Sequence, residues 1–165
     1  ASWRRHKRLE ETIEAFKDPR LKNVLLIALG GFEYIKDKSS IPDNVILTPL
    51  LKPNDTASIY TMADAMIHLA WLDWCPNTVV EALSCGAPVL CSHNGGTKEL
   101  VKDDGVVIQL EEDYDIGTKV PLYNPPKVDT KIIVDGVLEV IEKSTLFDRP
   151  DLDISYVANQ YEKHL

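Results

Sequence analysis

Asp73-Trp74-Cys-Pro76-Asn77-Thr78-Val-Val-Glu81-Ala-Leu-Ser84-Cys-Gly86-Ala-Pro88-Val-Leu-Cys91-Ser-His-Asn-Gly95-Gly96-Thr-Lys-Glu99 is the stretch that decides the fold. Pro76 before it and Gly86 after it punctuate a helix over Asn77–Ser84, since proline suits a helix start and glycine a helix end. Pro88 to Cys91 is a short apolar run that suits a buried strand. Gly95-Gly96 then makes a turn into a short helix ending at Val101.

The same alternation extends in both directions. Upstream, Leu9, Ile13 and Phe16 share one face of a helix over 5–17. The run Asn23-Val-Leu-Leu-Ile-Ala-Leu-Gly30 is apolar throughout, as a parallel strand covered on both faces would be. Further strands are expected over 44–48 and 63–70, with a helix between them capped by Asn54 or Asp55 and ending at Met62. Downstream come a strand over 105–109, an acidic and proline-rich loop over 111–128, and helices over 130–143 and 153–164. Strands alternating with helices predict an α/β fold: a three-layer, Rossmann-like α/β/α domain whose mainly parallel sheet has about five or six strands. A doubly wound domain ordinarily opens on a strand, whereas this chain opens on a loop and a helix. The expectation is a chain cut from a longer protein, or one whose first strand is not represented.

Composition narrows the class. The chain has 165 residues, enough for one domain with a sizeable core. No apolar run approaches the roughly 20 residues of a membrane span, and the polar, basic start does not resemble a secretion signal. The net charge of −8 argues against nucleic acid as a partner. Residues 1–22 nevertheless carry a net +3. A small basic cluster on an acidic chain suits a compact anion such as a phosphate, or else a solvated helix face. Three cysteines, Cys75, Cys85 and Cys91, give no disulfide framework, and their spacing with His93 is not that of a zinc site. In an open α/β sheet the ligand lies beyond the strand carboxyl ends. That directs attention to residues 4–7, 72–78 and 93–96.

The segment 73–99 resembles the donor-binding motif of the retaining glycosyltransferases of family 4, which have the GT-B fold. Their pattern is an acid, seven residues, Glu-Ala, a small-residue helix end with Cys-Gly or Ala-Gly, Pro-Val, then Gly-Gly and a Glu three residues later. Here these are Asp73, Glu81-Ala82, Cys85-Gly86, Pro88-Val89, Gly95-Gly96 and Glu99. Trp3-Arg4-Arg5-His6-Lys7-Arg8-Leu9 with Glu14-Ala15-Phe16, and Asn44–Thr48 with Ile59-Tyr60 and Ala63-Asp64, are similar to other parts of the same family's C-terminal domain. The resemblance implies one nucleotide-sugar-binding domain over 1–165, with a C-terminal helix within 144–165 and no N-terminal, acceptor-binding domain.

The resemblance also implies roles. Glu81 would accept hydrogen bonds from the ribose hydroxyls, and Lys7 would neutralise the diphosphate. Asp73 would meet the donor sugar. These three are the expected catalytic set. Arg4, Leu51, Trp74, Pro76, Asn77, Thr78, Gly95 and Gly96 complete the expected donor-binding residues. The amides of Asn77, Thr78 and Val79, at a helix start, suit a diphosphate. No metal and no cofactor are expected, only a nucleotide-diphosphate sugar as donor. The acceptor, whether sugar, lipid or protein, the donor base (UDP, GDP or ADP) and the sugar stay open. A cytoplasmic location is expected, membrane-peripheral at most and through the missing domain.

Three positions depart from the family pattern. Asp73 stands where Glu is usual, Trp74-Cys75 replaces a glycine-bearing pair, and Ser2 or a residue upstream stands where an arginine is usual. Hence two functions are entertained: sugar transfer, with the isolated domain expected to be inactive alone, or a non-catalytic nucleotide-binding module of degenerate GT-B type. A nucleotide-sugar epimerase is disfavoured by the Asp73, Glu81, Gly95-Gly96 spacing.

Overall fold

The computed structural model describes residues 3–31, 35, 39–114, 124–143 and 147–163. Five short strands form: Leu26–Leu29 (β1), Val45–Thr48 (β2), Met66–His68 (β3), Val89–Ser92 (β4) and Gly105–Ile108 (β5). All their pairings are parallel, β1 with β2 and β3 with β4 with β5. The architecture is the expected α/β one, but the strands fall into a two-stranded and a three-stranded sheet rather than one. The correction has a physical cause: β1 and β3 do not hydrogen-bond, and a large cavity lies between them.

The helices cover both faces. Leu9–Ala15 (α1) and Thr130–Val140 (α5) share one core cluster with Ala28, Val45, Leu90 and Ile108. Pro53–Met62 (α2), Asn77–Ser84 (α3) and Thr97–Val101 (α4) contribute Tyr60, Val79, Ala82, Leu83 and Val101 to a second cluster, beneath Val89 and Cys91. Every β4 side chain is buried, the apolar Val89–Cys91 as expected and Ser92 with its hydroxyl donating to Ala70 O at 2.8 Å. Gly136 lets α5 lie close on the sheet, because a Cβ there would meet Leu90 Cδ1 at 2.8 Å and Ile108 Cγ2 at 2.9 Å.

Several expected boundaries shift. The helix expected over 5–17 is a 3-10 turn, Arg5–Lys7, followed by α1. The break is at Arg8, whose φ of 57° is left-handed and whose side chain is buried. The strand expected over 23–30 shortens to β1, and Ile27 within it is 39% exposed instead of buried. That expected over 63–70 shortens to β3, the three residues that pair with β4, and the chain turns left-handed at Leu72, with φ of 61°. α2 opens on Pro53 rather than on an Asn54 or Asp55 cap, as proline's fixed φ allows. α3 has the expected limits. Asp129 caps α5 by accepting from Lys131 N at 2.9 Å. The last helix, Ile154–Glu162 (α6), is capped by Asp153 and buries no residue. Parts of the loop expected over 111–128 and of the C-terminal helix lie outside the described residues. No described helix is long and apolar enough to cross a membrane.

Candidate functional site

The loop after β3 and the turn after β4 are locked together by backbone contacts. Asp73 and Gly95 form an isolated parallel bridge, Gly96 N donates to Asp73 O at 3.0 Å, and Thr97 Oγ1 donates to the same oxygen at 3.3 Å. Two glycines are required here. Gly95 has a φ of +82°, and a Cβ on it would meet Asp73 O at 2.5 Å; one on Gly96 would overlap Trp74 O. Gly95-Gly96 therefore shapes the Asp73–Trp74 loop from behind. Gly96→Ala is expected to cost about 1–3 kcal/mol, the scale of overpacking against atoms that cannot yield. A chemical denaturation midpoint that does not move would contradict this close approach.

Asp73 is half-buried and faces a cationic neighbourhood. His68 Nε2 lies 3.3 Å from Asp73 Oδ2. His68 first, then Lys7 and His6, hold the Asp73 carboxyl below the usual carboxylate range against the opposing effect of burial. Burial, Lys7 and Arg4 push the His6 imidazole down. These groups are brought together because the Arg5–Lys7 turn docks on the loop after β3: Trp71 N donates to His6 O at 2.8 Å. The expected stretches 4–7, 72–78 and 93–96 thus converge.

The basic cluster of the first 22 residues is not one surface. Arg5 pairs with Glu10 and Glu11, Lys17 with Glu14, and Arg20 with Asp18 and Asp135. Arg4 and Lys7 make no ion pair among the described residues, so they are cations available to an anion. Arg8 is fully buried, and its Nη1 sits 2.7 Å from Glu111 Oε2. Glu111 Oε1 in turn accepts from Asn94 Nδ2 at 3.0 Å, and Asn94 Oδ1 accepts from Tyr114 N at 3.0 Å. This buried network ties the Lys7 segment to the turn before Gly95 and to the chain beyond β5.

Lys7, Leu51, Thr78 and Glu81 line one cavity of about 1160 Å³. Glu81 is exposed on the second turn of α3, near Tyr60, whose hydroxyl is pushed up to about 12 by burial and by the Glu81 charge. α3 opens on Pro76 with no side-chain cap. Val79 N bonds to Pro76 O at 3.0 Å, so of the three amides expected to hold a diphosphate, only Asn77 and Thr78 lack a partner among the described residues. Trp74 is 62% exposed and stands edge-on to Tyr114, with ring centroids 6.4 Å apart. Leu50 is exposed rather than core, whereas Trp71 is buried. Among the described residues no cluster of His, Cys, Asp or Glu could hold a metal ion. Sequence reasoning missed His68 as the partner of Asp73 and missed the Arg8–Glu111–Asn94 network. No spacing signals either, because the partners meet only through the fold.

Comparisons with known proteins bear on the family and the fold. Over 105 residues the chain is 29% identical to the alpha-monoglucosyldiacylglycerol synthase of Streptococcus pneumoniae (strain ATCC BAA-255 / R6), a match covering 59% of this chain and 24% of that protein. Its fold is similar to that of WaaG, a glycosyltransferase involved in lipopolysaccharide biosynthesis, with a TM-score of 0.58 and 19% identity, over 98% of this chain and 40% of that one. The chain therefore spans less than half the length of either, and has the Rossmann-like form of one half of a GT-B fold. The sequence pattern of the glycosyl transferases group 1 family matches residues 1–118, which include every candidate residue above, and the chain belongs to that family.

Proposed function

We propose that this chain is the donor-binding, C-terminal domain of a retaining glycosyltransferase that moves a sugar from a nucleotide-diphosphate sugar to an acceptor held by another domain. The observation that supports the reading is the convergence of residues 4–7, 72–78 and 93–96 beyond the strand carboxyl ends, where Trp71 N bonds to His6 O and Asp73 bridges to Gly95. Glu81 would accept two hydrogen bonds from the ribose hydroxyl pair, which a carboxylate does well. The amides of Asn77 and Thr78, without a partner among the described residues, lie at the positive end of α3 and suit a diphosphate there. Lys7, which makes no ion pair among the described residues, would neutralise the charge that grows on the diphosphate as the sugar bond breaks. Asp73 and the exposed Trp74 ring would meet the sugar, held there by Gly95 and Gly96. Arg4 would add a second cation at the rim. Without an acceptor domain, the isolated chain would bind donor and transfer little or no sugar.

One observation favours the second reading, a nucleotide-binding module without transfer. The Asp73 carboxylate is a methylene shorter than the usual Glu and already faces His68 at 3.3 Å. Two substitutions separate the readings. Asp73→Ala is expected to weaken a nucleotide-sugar about ten-fold, the scale of one hydrogen bond to a charged group, and to leave the bare nucleoside diphosphate unchanged. Lys7→Ala is expected to weaken both, with an effect that shrinks as salt rises, because an open cation–phosphate contact is screened over about 8–10 Å. Calorimetric titration with both ligands measures this. Equal loss for both ligands in Asp73→Ala would make that residue a loop-positioning group and favour the module.

A further inference from the structure

Asp73 is held at two points. Its backbone oxygen accepts from Gly96 N at 3.0 Å and from Thr97 Oγ1 at 3.3 Å, so the turn after β4 fixes where the residue sits. Its side chain meets His68, with Asp73 Oδ2 lying 3.3 Å from His68 Nε2. Asp73 Oδ1 has no partner among the described residues, and the side chain keeps 28% of its surface exposed. One carboxylate oxygen is therefore engaged and the other open.

The chain is bent to make this contact. His68 ends β3 opposite Cys91 of β4 and is buried, so its imidazole is carried by the rigid part of the sheet. Between His68 and Asp73, Leu72 has a φ of 61°, a left-handed state that a bulky side chain takes only where its surroundings enforce it. The reversal there returns Asp73 to the end of the strand it has just left. Trp71 N, donating to His6 O at 2.8 Å, pins the same stretch from the Arg5–Lys7 side. From that turn Lys7 and His6 act on the Asp73 carboxyl, after His68, and Arg4 and Lys7 act on His6.

We propose that His68 is a positioning residue for the donor sugar: it holds Asp73 Oδ2 and leaves Oδ1 as the single acceptor offered to one sugar hydroxyl. This role rests on the donor reading. An unheld aspartate would lose side-chain freedom when the sugar arrives, and a held one has lost it beforehand. Holding Asp73 requires an N–H at Nε2, which the charged ring and one of its two neutral forms supply. A glutamine at this position offers an N–H near the same place, whereas a leucine offers none.

The test is calorimetric titration of the wild type, His68→Leu and His68→Gln with UDP-glucose, GDP-mannose and ADP-glucose, and with UDP, GDP and ADP. The His68→Leu titrations are repeated in an Asp73→Ala background. His68→Leu is expected to weaken the nucleotide-sugar that binds by about three- to tenfold, the scale of one hydrogen bond, and to leave its bare diphosphate within about twofold. His68→Gln should restore most of that loss, and His68→Leu should cost nothing further once residue 73 is alanine. With no ligand present, carbon-13 NMR should find the Asp73 carboxyl titrating at higher pH in His68→Leu than in the wild type, because His68 is the first cause of its lowering. Equal loss of both ligands, no recovery in His68→Gln, a further loss on top of Asp73→Ala, or an unmoved Asp73 titration would overturn the role of His68 and leave the donor reading standing. Binding of none of the six ligands by the folded wild type would overturn the donor reading, and this role with it.

Discussion

Arg8→Ala is expected to destabilise the chain by about 3–5 kcal/mol, the scale for leaving one partner of a buried ion pair uncompensated. The Arg8 side chain is fully buried, and Glu111, its partner at 2.7 Å, is 6% exposed. Removing the guanidinium leaves the Glu111 carboxylate in an apolar surrounding with one remaining donor, Asn94 Nδ2. Replacing both members with apolar residues of similar size, Arg8→Met with Glu111→Leu, should recover most of the loss, because the desolvation cost of two charges goes with them. Urea denaturation of the two single variants and the double variant checks this. Additive losses would mean that the two side chains do not act as a pair. A drop in donor affinity should accompany Arg8→Ala, because Arg8 follows Lys7 directly.

Arg8 also shows where the sequence stops being informative. In the first 22 residues it reads as one more basic residue in an amphipathic helix. Its left-handed backbone and its burial depend on Glu111 arriving from beyond β5, which no local pattern encodes. The same holds for His68, which lies within an apolar strand by pattern and is the partner of Asp73 by geometry. What the sequence does carry is local. Pro76 and Gly86 bracket α3 within its observed limits, and β4 is as buried as its composition implies. The convergence of residues 4–7, 72–78 and 93–96 was also legible, because parallel strands place their following loops at one end. The division into two sheets was not, since run length and apolarity say nothing of which edge a strand pairs through. Ile27 on β1 is 39% exposed and lines the cavity beside the edge that β1 does not pair through.

Glu81→Ala is expected to weaken nucleotide binding by about 1.5–3 kcal/mol, the scale of hydrogen bonds to a charged group, while leaving stability nearly unchanged. Stability is spared because Glu81 is exposed on α3 and makes no ion pair among the described residues, and alanine is the better helix former. Binding is not spared, because the site's other carboxylate, Asp73, already faces His68, and Lys7 and the Asn77 and Thr78 amides are donors that cannot accept a ribose hydroxyl.

The most direct measurement is isothermal titration of the wild-type chain and of Glu81→Ala with UDP-, GDP- and ADP-sugars. The account predicts that one base class binds the wild-type chain and that Glu81→Ala binds that class about ten- to hundredfold more weakly, with an unchanged melting temperature. Equal affinity of the two proteins for the donor that binds, or no binding of any of the three by a folded wild-type chain, would contradict it.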